Sequence, residues 1–204
     1  MQFKRGNNKI MKIACLDIET MGTESTCVIL SAAIGFADIT KEKQSIEELR
    51  KNTQFVKFSV KDQVENYKRT IDKDTIAWWN KQCDIAKDCS FFPKKTDLTS
   101  KDGIAILRKY ILEQCIPEKT YCFIRGSLDQ LALDSLCRIV GEPPLFPFFV
   151  YRDCRTYIEC CAENPRRGYC DIDDTKFTDY KRDAIIKHLP QEDIVLDLAM
   201  ILSC

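Results

Sequence analysis

The sequence predicts a single-domain protein in which a mixed β-sheet is flanked by helices, an α/β or α+β sandwich. Apolar or alternating segments come first, at residues 11–18, 27–39 and 54–60, and amphipathic helices interleaved with short apolar segments follow them. This order is typical of such mixed-sheet sandwiches. The chain has 204 residues, of which 45% are hydrophobic, and this is enough to bury one sizeable core. No repeat, low-complexity tract or linker divides it.

The first three segments predict strands. Residues 11–18 and 27–39 read as buried strands, and residues 54–60, "QFVKFSV", alternate apolar and polar side chains. The connection between the first two is short, so we expect them to pair as a hairpin.

The rest of the chain predicts mainly helices. A helix is expected at 72–83, with Asp72 or Asp74 as its N-cap, and another at 100–115, opening at Ser100. A short strand at 120–126 precedes a helix from 127 to about 140. After a proline-rich loop and a short strand, a helix begins near Asp153. Residues 163–178 read as a polar loop, and two helices, 179–189 and 190–204, close the chain, with Pro190 in the first turn of the last.

Composition excludes several classes of protein. No stretch approaches the roughly 18 apolar residues of a membrane span, and the basic start of the chain has no apolar core of a signal peptide. We expect residues 1–10 to be an N-terminal extension and residues 11–204 to be the domain. Lys and Arg number 31, and Asp and Glu also number 31, so the net charge is zero. This balance disfavours a protein that coats nucleic acid by charge alone but is compatible with a nuclease.

The cysteines favour a reducing compartment. Several of the twelve lie in apolar runs, where free cysteine behaves as a small hydrophobic side chain. No C-x-x-C pair is present, so a zinc site is disfavoured, although the four cysteines between 154 and 170 leave the question open: Cys154, Cys160, Cys161 and Cys170. We therefore expect a cytoplasmic protein, and the cytoplasm of a virus-infected cell is one such setting.

The segment "CLDIETMG" is the first candidate for a functional site. Asp17 and Glu19 are two residues apart at the exit of a buried strand, so they project to the same face. Their negative charges repel each other, and a proton, a basic side chain or a divalent cation must offset that repulsion. A solvated turn is the ordinary alternative for such a triplet.

Further candidates lie at two later positions. Asp129 falls in the first turn of the helix after strand 120–126, near Ser127, a pattern that also suits an ordinary helix start. Asp134, on the same helix, is expected on its solvated face. His188 is the only histidine and precedes Asp193 by five residues, just before the last helix. A lone histidine is usually a surface group, but its place beside an acidic helix start favours a role in the same site.

These residues together resemble a known family. Asp17-x-Glu19, Ser127-Leu128-Asp129 and His188-x4-Asp193 are similar in order and spacing to the three motifs of the DEDDh-type 3′→5′ exonucleases. The segments "LDIETMGT", "TIAWWNKQ", "DGIA", "RGSLDQLAL" and "YRDCRTYIE" resemble the DexA-type exonucleases of tailed phages, over residues 12–203. The chain departs from the pattern at Leu128, at Pro190 and in "ENPRRGYCDIDD".

The resemblance implies a ribonuclease H-like fold with the D-x-E motif on its central strand. It implies that Asp17, Glu19, Asp129 and Asp193 bind two divalent cations, Mg²⁺ or Mn²⁺, which suit oxygen ligands. His188 would be the general base that takes a proton from water.

Five residues are expected to contact the substrate: Thr20, Met21, Gly22, Trp79 and Ser127. One of the two tryptophans, Trp78 and Trp79, is expected in the core, and the other against a base.

Three alternatives stay open beside a DNA exonuclease acting on single-stranded or frayed 3′ ends. The same chemistry would suit RNA, as in the ribonuclease T and oligoribonuclease relatives, since recognition of the 2′-OH is not visible in a sequence. A non-catalytic module that binds nucleic acid or protein would share the fold. An unrelated phosphohydrolase would use the D-x-E motif alone and leave His188 and Asp193 unexplained.

Overall fold

The computed structural model describes residues 12–181 and 185–204. The predicted extension, residues 1–10, lies outside them, and so do residues 182–184. Within the described residues, five strands form one mixed sheet in the order β3-β2-β1-β4-β5. The strands are β1 (Lys12–Thr20), β2 (Ile29–Asp38), β3 (Thr53–Lys57), β4 (Cys122–Ile124) and β5 (Tyr151–Asp153). The predicted mixed sheet flanked by helices, and its β1–β2 hairpin, are confirmed.

Because β1 and β4 run parallel, the end of β1 lies beside the end of β4, which is followed by the start of α6. β1 pairs with β2 antiparallel and with β4 parallel, and β4 pairs with β5 parallel. The central strand is apolar on both faces because both are covered: Ala14, Leu16 and Ile18 face one core cluster, and Ile13 and Cys15 face the other. Asp17 and Glu19 continue the row of Ile13 and Cys15.

The helices lie on both faces of the sheet and at its edge. Their bounds are α1 (Ile46–Lys51), α2 (Val60–Tyr67), α3 (Lys73–Trp79), α4 (Asp84–Ala86), α5 (Ser100–Gln114), α6 (Leu128–Ile139), α7 (Cys154–Cys161) and α8 (Pro190–Ser203). A π-helical turn, Lys87–Phe91, follows α4, and single 3₁₀ turns lie at Pro117–Lys119 and Phe148–Val150. The core beside α5 and α6 lies on one face, and the core beside α1, α7 and α8 lies on the other. None of the described helices is long and apolar enough to cross a membrane.

α8 approaches the sheet closely because β2 carries a glycine at the crossing point. A Cβ at Gly35 would lie 2.7 Å from Ile194 Cγ2 and 2.7 Å from Thr53 Oγ1. Such contacts are shorter than real Cβ atoms show, so a larger residue would push the helix away. The glycine therefore helps to set the distance between α8 and β1, which both carry candidate site residues.

The structure corrects the predicted elements in three places. α1 and α2 were not predicted; each is short, and Ser45 and Ser59 cap their N-termini through side-chain hydrogen bonds. Thr99 caps α5, where we predicted that Ser100 would open the helix. The predicted helix at 179–189 is wrong in its described part: residues 179–181 and 185–189 are not helical. Instead, the Asp179 carboxylate accepts hydrogen bonds from the backbone at the start of α1.

Candidate active site

The two carboxylates of "CLDIET" lie at the end of β1 on the face covered by α8. Asp17 and Glu19 are partly buried, and the side chain of Glu19 is 12% exposed. A register shift between Glu19 and Thr20 ends the regular pairing with β2. The predicted common face of the two carboxylates is therefore observed.

His188 and Asp193 meet at the start of α8. The backbone N–H of His188 donates to Asp193 Oδ2 over 2.9 Å. His188 has a φ of 62°, a left-handed conformation that is uncommon for residues other than glycine, and this bend turns the chain into the helix at Leu189 and Pro190. Pro190 is a departure from the DEDDh pattern. His188 is nevertheless hydrogen-bonded to Asp193.

Glu19, His188 and Asp193 converge although they are distant in the sequence. One possible metal-ligand atom from each residue lies within 4.8 Å of the others. Among residues 12–181 and 185–204, these are the His, Cys, Asp or Glu side chains that come close enough together to hold one metal ion. His188 Nδ1 lies 3.9 Å from Glu19 Oε1, which is longer than a hydrogen bond. The imidazole is therefore next to Glu19 without being bonded to it.

Asp129 completes a set of mutually repelling carboxylates. It lies in the first turn of α6 and is 8% exposed. Burial and the nearby charges of Asp129, Glu19 and Asp193 raise the pKa of Asp17 well above its usual range. Burial, reinforced by Asp193 and Asp129, raises the pKa of Glu19 to about 8.

The pKa values of the other two carboxyls are raised for the same main reason. Burial raises the pKa of Asp129 to about 7, although the backbone N–H of Arg125 acts to lower it. Burial and the charge of Asp197 raise the pKa of Asp193 to about 7, against the lowering effect of its bond from His188. Among the described residues, no Lys or Arg forms an ion pair with any of these four. The site thus gathers carboxylates that no Lys or Arg of the described chain pairs with directly, although the charges of Arg125 and Arg155 act on Asp129 from further away.

The surroundings of the His188 ring favour its neutral form. Partial burial and the charge of Lys187 lower its pKa from about 6.5. A neutral imidazole can accept a proton, so the ring is suited to act as a base at pH 7.

Asp197 belongs to the same charged region, and sequence analysis missed it. It lies one helical turn after Asp193, is 6% exposed, and raises the pKa of Asp17 and Asp193. Its carboxylate accepts hydrogen bonds from the Arg125 guanidinium, with both Nε contacts at 3.1 Å. The signal was available: Asp197 is a charge inside the apolar run "IVLDLAMIL", four residues after a candidate ligand.

The structure exchanges the expected roles of the two tryptophans. Trp79, which we expected to bind substrate, is fully buried, stacks on Phe91 and donates its indole N–H to the backbone oxygen of Thr20 over 2.9 Å. Trp78 is 40% exposed, and its ring meets the His188 ring edge-on with centroids 4.8 Å apart. Trp79 therefore has no surface for a base, and Trp78 is the tryptophan beside the site.

The other expected substrate contacts differ in their accessibility. Met21 is 8% exposed, and its backbone N–H and C=O are already hydrogen-bonded, to Val28 and Asp72. Gly22 is also buried, and a Cβ there would lie 2.8 Å from Cys27 Cβ, so packing accounts for this glycine. Thr20 is partly exposed, and its hydroxyl donates to Gly22 O.

Ser127 is exposed and forms no capping hydrogen bond through its side chain. Asp134 was expected on a solvated face but is buried, at 8% exposure.

The four cysteines between 154 and 170 have different surroundings: Cys154 is buried against Arg125, whereas Cys160 is exposed. Cys170 instead lies 3.8 Å from Cys204, sulfur to sulfur.

A solved structure shows the same fold. The chain is similar to the crystal structure of cell-death related nuclease 4 (CRN-4), with a TM-score of 0.54 and 15% sequence identity over 95% of this chain and 62% of that chain. The chain thus spans about 62% of the length of that nuclease. The fold is the ribonuclease H-like nuclease fold.

The family follows from the sequence match. Residues 12–197 match the model of the 3′-5′ exoribonuclease Rv2179c-like domain. This match covers most of the chain, and the protein belongs to this family of 3′–5′ exonucleases. No curated protein matches it.

Proposed function

We propose that the protein is a DEDDh-type, metal-dependent 3′→5′ exonuclease that releases nucleoside 5′-monophosphates from single-stranded or frayed ends. The observation that carries this proposal is the convergence of Glu19, His188 and Asp193 within 4.8 Å, beside Asp17 and Asp129. These five residues come from the three motifs that resemble the DEDDh pattern. The DexA-type resemblance of the surrounding segments supports the same proposal.

The donor set fits hard divalent cations. Carboxylate oxygens are the ligands that Mg²⁺ and Mn²⁺ prefer. Burial, together with neighbouring carboxylates, raises the pKa values of Glu19, Asp129 and Asp193, and a bound cation would stabilise their ionised forms. Asp17, Glu19, Asp129 and Asp193 would hold two such ions. When bound, two ions supply electrostatic stabilisation of the attacking and leaving oxygens of a phosphodiester.

The chain's own residues would handle the proton. In the proposed reaction, a water oxygen attacks the terminal phosphorus, the bond from phosphorus to the 3′-oxygen of the preceding nucleotide breaks, and that oxygen takes up a proton. His188 would accept the proton of the attacking water, because its ring is beside Glu19 and is not bonded to it. The bond from His188 N–H to Asp193 fixes the backbone that carries the ring.

The substrate is a free 3′ end of a single strand. The sequence favoured DNA, but the description of the family names an exoribonuclease, and we find no described residue that distinguishes the two sugars. We therefore take RNA as a substrate of equal standing. Trp78, rather than the buried Trp79, would stack on a base, and Ser127 and Thr20 would bind near the terminal nucleotide.

A non-catalytic binding module on the same fold is the rival proposal. Loss of one of the five site residues would favour it, yet all five are present, and the structure brings Glu19, His188 and Asp193 together.

The test uses 5′-labelled and 3′-labelled RNA and DNA oligonucleotides with Mg²⁺, Mn²⁺ or EDTA. We expect the 3′ label to be released first as a mononucleotide, only when a divalent ion is present. A circular single strand is the control and should resist digestion. Cleavage of the circle would indicate an endonuclease, and binding without cleavage under every metal condition would favour the non-catalytic module.

A further inference from the structure

The segment "ENPRRGYCDIDD", which has no counterpart in the motifs of the site, contains a tight turn that presents two arginines. Arg166 N–H donates to Tyr169 O over 2.7 Å, and Tyr169 N–H donates to Arg166 O over 3.2 Å. The two residues between them, Arg167 and Gly168, have φ of 55° and 75°. Positive φ at both central positions is the pattern of a type I′ turn. We call residues 166–169 the RRGY turn.

The RRGY turn is seated firmly against α7. Gly168 N–H donates to Glu159 Oε1 over 2.5 Å, and a Cβ at Gly168 would lie 2.5 Å from Arg155 Cβ. Only glycine fits this close approach. The turn is therefore held through the backbone of Gly168, without hydrogen bonds from the Arg166 and Arg167 side chains to the rest of the described chain.

The same turn contacts the residue that pairs with Asp197. Arg125 Nη1 donates to Gly168 O over 3.1 Å, and the Arg125 guanidinium lies 4.2 Å from the centre of the Tyr169 ring. Arg125 in turn binds Asp197, one helical turn from Asp193. The RRGY turn thus lies two contacts away from the carboxylates of the candidate active site.

Three arginines of α7 and the RRGY turn are exposed: Arg155, Arg166 and Arg167. Among the described residues, none of them forms an ion pair within 4.0 Å. The positive charge of Arg155 acts on Asp129 and Asp197, which places it near the site. Tyr169 is 47% exposed beside them. The surface combines unpaired guanidinium groups with an accessible aromatic ring.

We propose that Arg155, Arg166, Arg167 and Tyr169 bind the phosphodiester backbone of the substrate strand on the 5′ side of the scissile bond. This proposal rests on the proposed function, since an enzyme that removes the 3′-terminal nucleotide has only the 5′ part of the strand left to hold. Guanidinium groups suit phosphate oxygens, and an aromatic ring stacks on any base. We call these four residues the clamp. Contacts to phosphates and base faces do not depend on base sequence, so the clamp suits stepwise digestion of any strand.

The matched variants remove equal charge from opposite faces of the sheet. The test variant is Arg166→Gln with Arg167→Gln, which leaves the backbone contacts of Gly168 in place. The control is Lys101→Gln with Lys109→Gln on α5, which packs against the other core cluster. Thermal unfolding of all variants verifies that they are folded.

Binding is measured with 12-nucleotide RNA and DNA strands in EDTA, in full-length protein carrying Asp17→Asn, across a series of salt concentrations. Each lost phosphate contact reduces the slope of log K against log salt by about 0.7, so the double variant should lose about 1.4. We expect weaker binding to every strand, whatever its sequence. A slope and affinity equal to those of the α5 control would overturn the proposal.

Cleavage separates this proposal from the proposed function. A dinucleoside monophosphate has only the scissile phosphate, so Arg166→Gln with Arg167→Gln should leave its hydrolysis unchanged while lowering kcat/KM for the 12-nucleotide strand. An equal loss on both substrates would contradict the clamp. If the wild-type protein cleaved neither substrate with Mg²⁺ or Mn²⁺, the proposed function would fail, and the binding series would still decide the clamp.

Discussion

The buried carboxylates of the candidate active site lower the stability of the folded protein when they are ionised. Burial and neighbouring like charges raise the pKa values of Asp17, Glu19 and Asp193. In the absence of a cation, these carboxylates must either hold protons or repel one another. Such an arrangement is typical of functional sites and does not stabilise the fold, and this gives the sharpest predictions at the residue scale.

Asp17→Asn should abolish exonuclease activity and at the same time raise the melting temperature of the metal-free protein at pH 8. Removing the carboxylate eliminates a candidate ligand, but it also removes a buried charge that repels Glu19 and Asp129. Activity and thermal unfolding in EDTA are the two measurements. Asp174→Asn, at an exposed position, is the control and should change neither. A folded Asp17→Asn variant with more than half of the wild-type activity would refute the assignment.

His188→Asn should lower the rate by roughly 10²–10⁴-fold, the usual contribution of a positioned base. Asparagine tolerates the left-handed backbone at this position, so the hydrogen bond from residue 188 to Asp193 should persist. Single-turnover rates with saturating Mn²⁺ measure the effect, and Mn²⁺ binding by calorimetry should remain. Near-wild-type rates would show that the imidazole does not take part in the reaction.

At the scale of elements, two contacts fix the position of α8, the helix that carries Asp193 and Asp197. Arg50 from α1 forms two hydrogen bonds of 2.8 Å with Glu192, next to Asp193. Gly35 allows the middle of the helix to lie against β2. These contacts decide where Asp193 lies relative to β1, so the position of a proposed metal ligand depends on how a helix packs.

A second element, α5, is tied to α2 by a carboxylate whose contribution depends on pH. Asp62 accepts hydrogen bonds from Ser100 N and Ser100 Oγ, over 2.8 and 2.6 Å. Partial burial acts to raise the pKa of Asp62, but the bonds from Ser100 and Asn66 outweigh it, and the pKa is lowered from 3.8. The ionised form therefore stabilises the folded state above the unfolded pKa, and this stabilisation is lost as the pH falls through the folded pKa.

Asp62→Asn should lower the free energy of unfolding by about 1–2 kcal/mol at pH 7, since hydrogen bonds to a charged acceptor are replaced by neutral ones. The difference from wild type should shrink as the pH falls below about 3.8, where the wild-type carboxyl also becomes neutral. Urea unfolding at several pH values measures it. Glu65→Gln, exposed on the same helix, is the control. A difference that stays constant down to pH 2.5 would contradict this account.

In the whole molecule, one buried ion pair joins parts of the chain that are far apart in sequence. Arg125 follows β4, Asp197 lies on α8, and Arg125 also contacts Cys154 Sγ at the start of α7 and Gly168 O of the RRGY turn. The two side chains are 14% and 9% exposed. A pair so shielded from water is sensitive to the loss of either partner.

Arg125→Met should destabilise the protein by about 3–5 kcal/mol, because it leaves Asp197 buried without a counter-charge. Asp197→Leu in the same chain should recover most of that loss, since two apolar side chains need no partner. Chemical denaturation of the single and double variants forms the cycle. Equal destabilisation by Arg125→Met alone and by the double variant would show that the pair is not coupled.

The sequence by itself determined most of the framework. Apolar segments at the expected positions became β1, β2 and β3, and the capping and periodic patterns predicted α3, α5, α6, α7 and α8. These features are local: they depend on which side chains alternate or recur along a few residues, and on which residue caps a turn. The common face of Asp17 and Glu19 follows from the same local rule.

Only the tertiary structure decided the features that depend on contacts between distant segments. Neither adjacent tryptophan has a local signal that buries it, yet Trp79 is held by Thr20 and Trp78 reaches His188. The segment around 179–189 has the composition of a helix, but its described part instead caps α1 and bends at His188. Asp197 is visible in the sequence as a charge within an apolar run, but its pairing with Arg125, 72 residues away, is not. Burial and ion pairing are set by packing across the sheet, and a local pattern does not encode which distant side chain will arrive there.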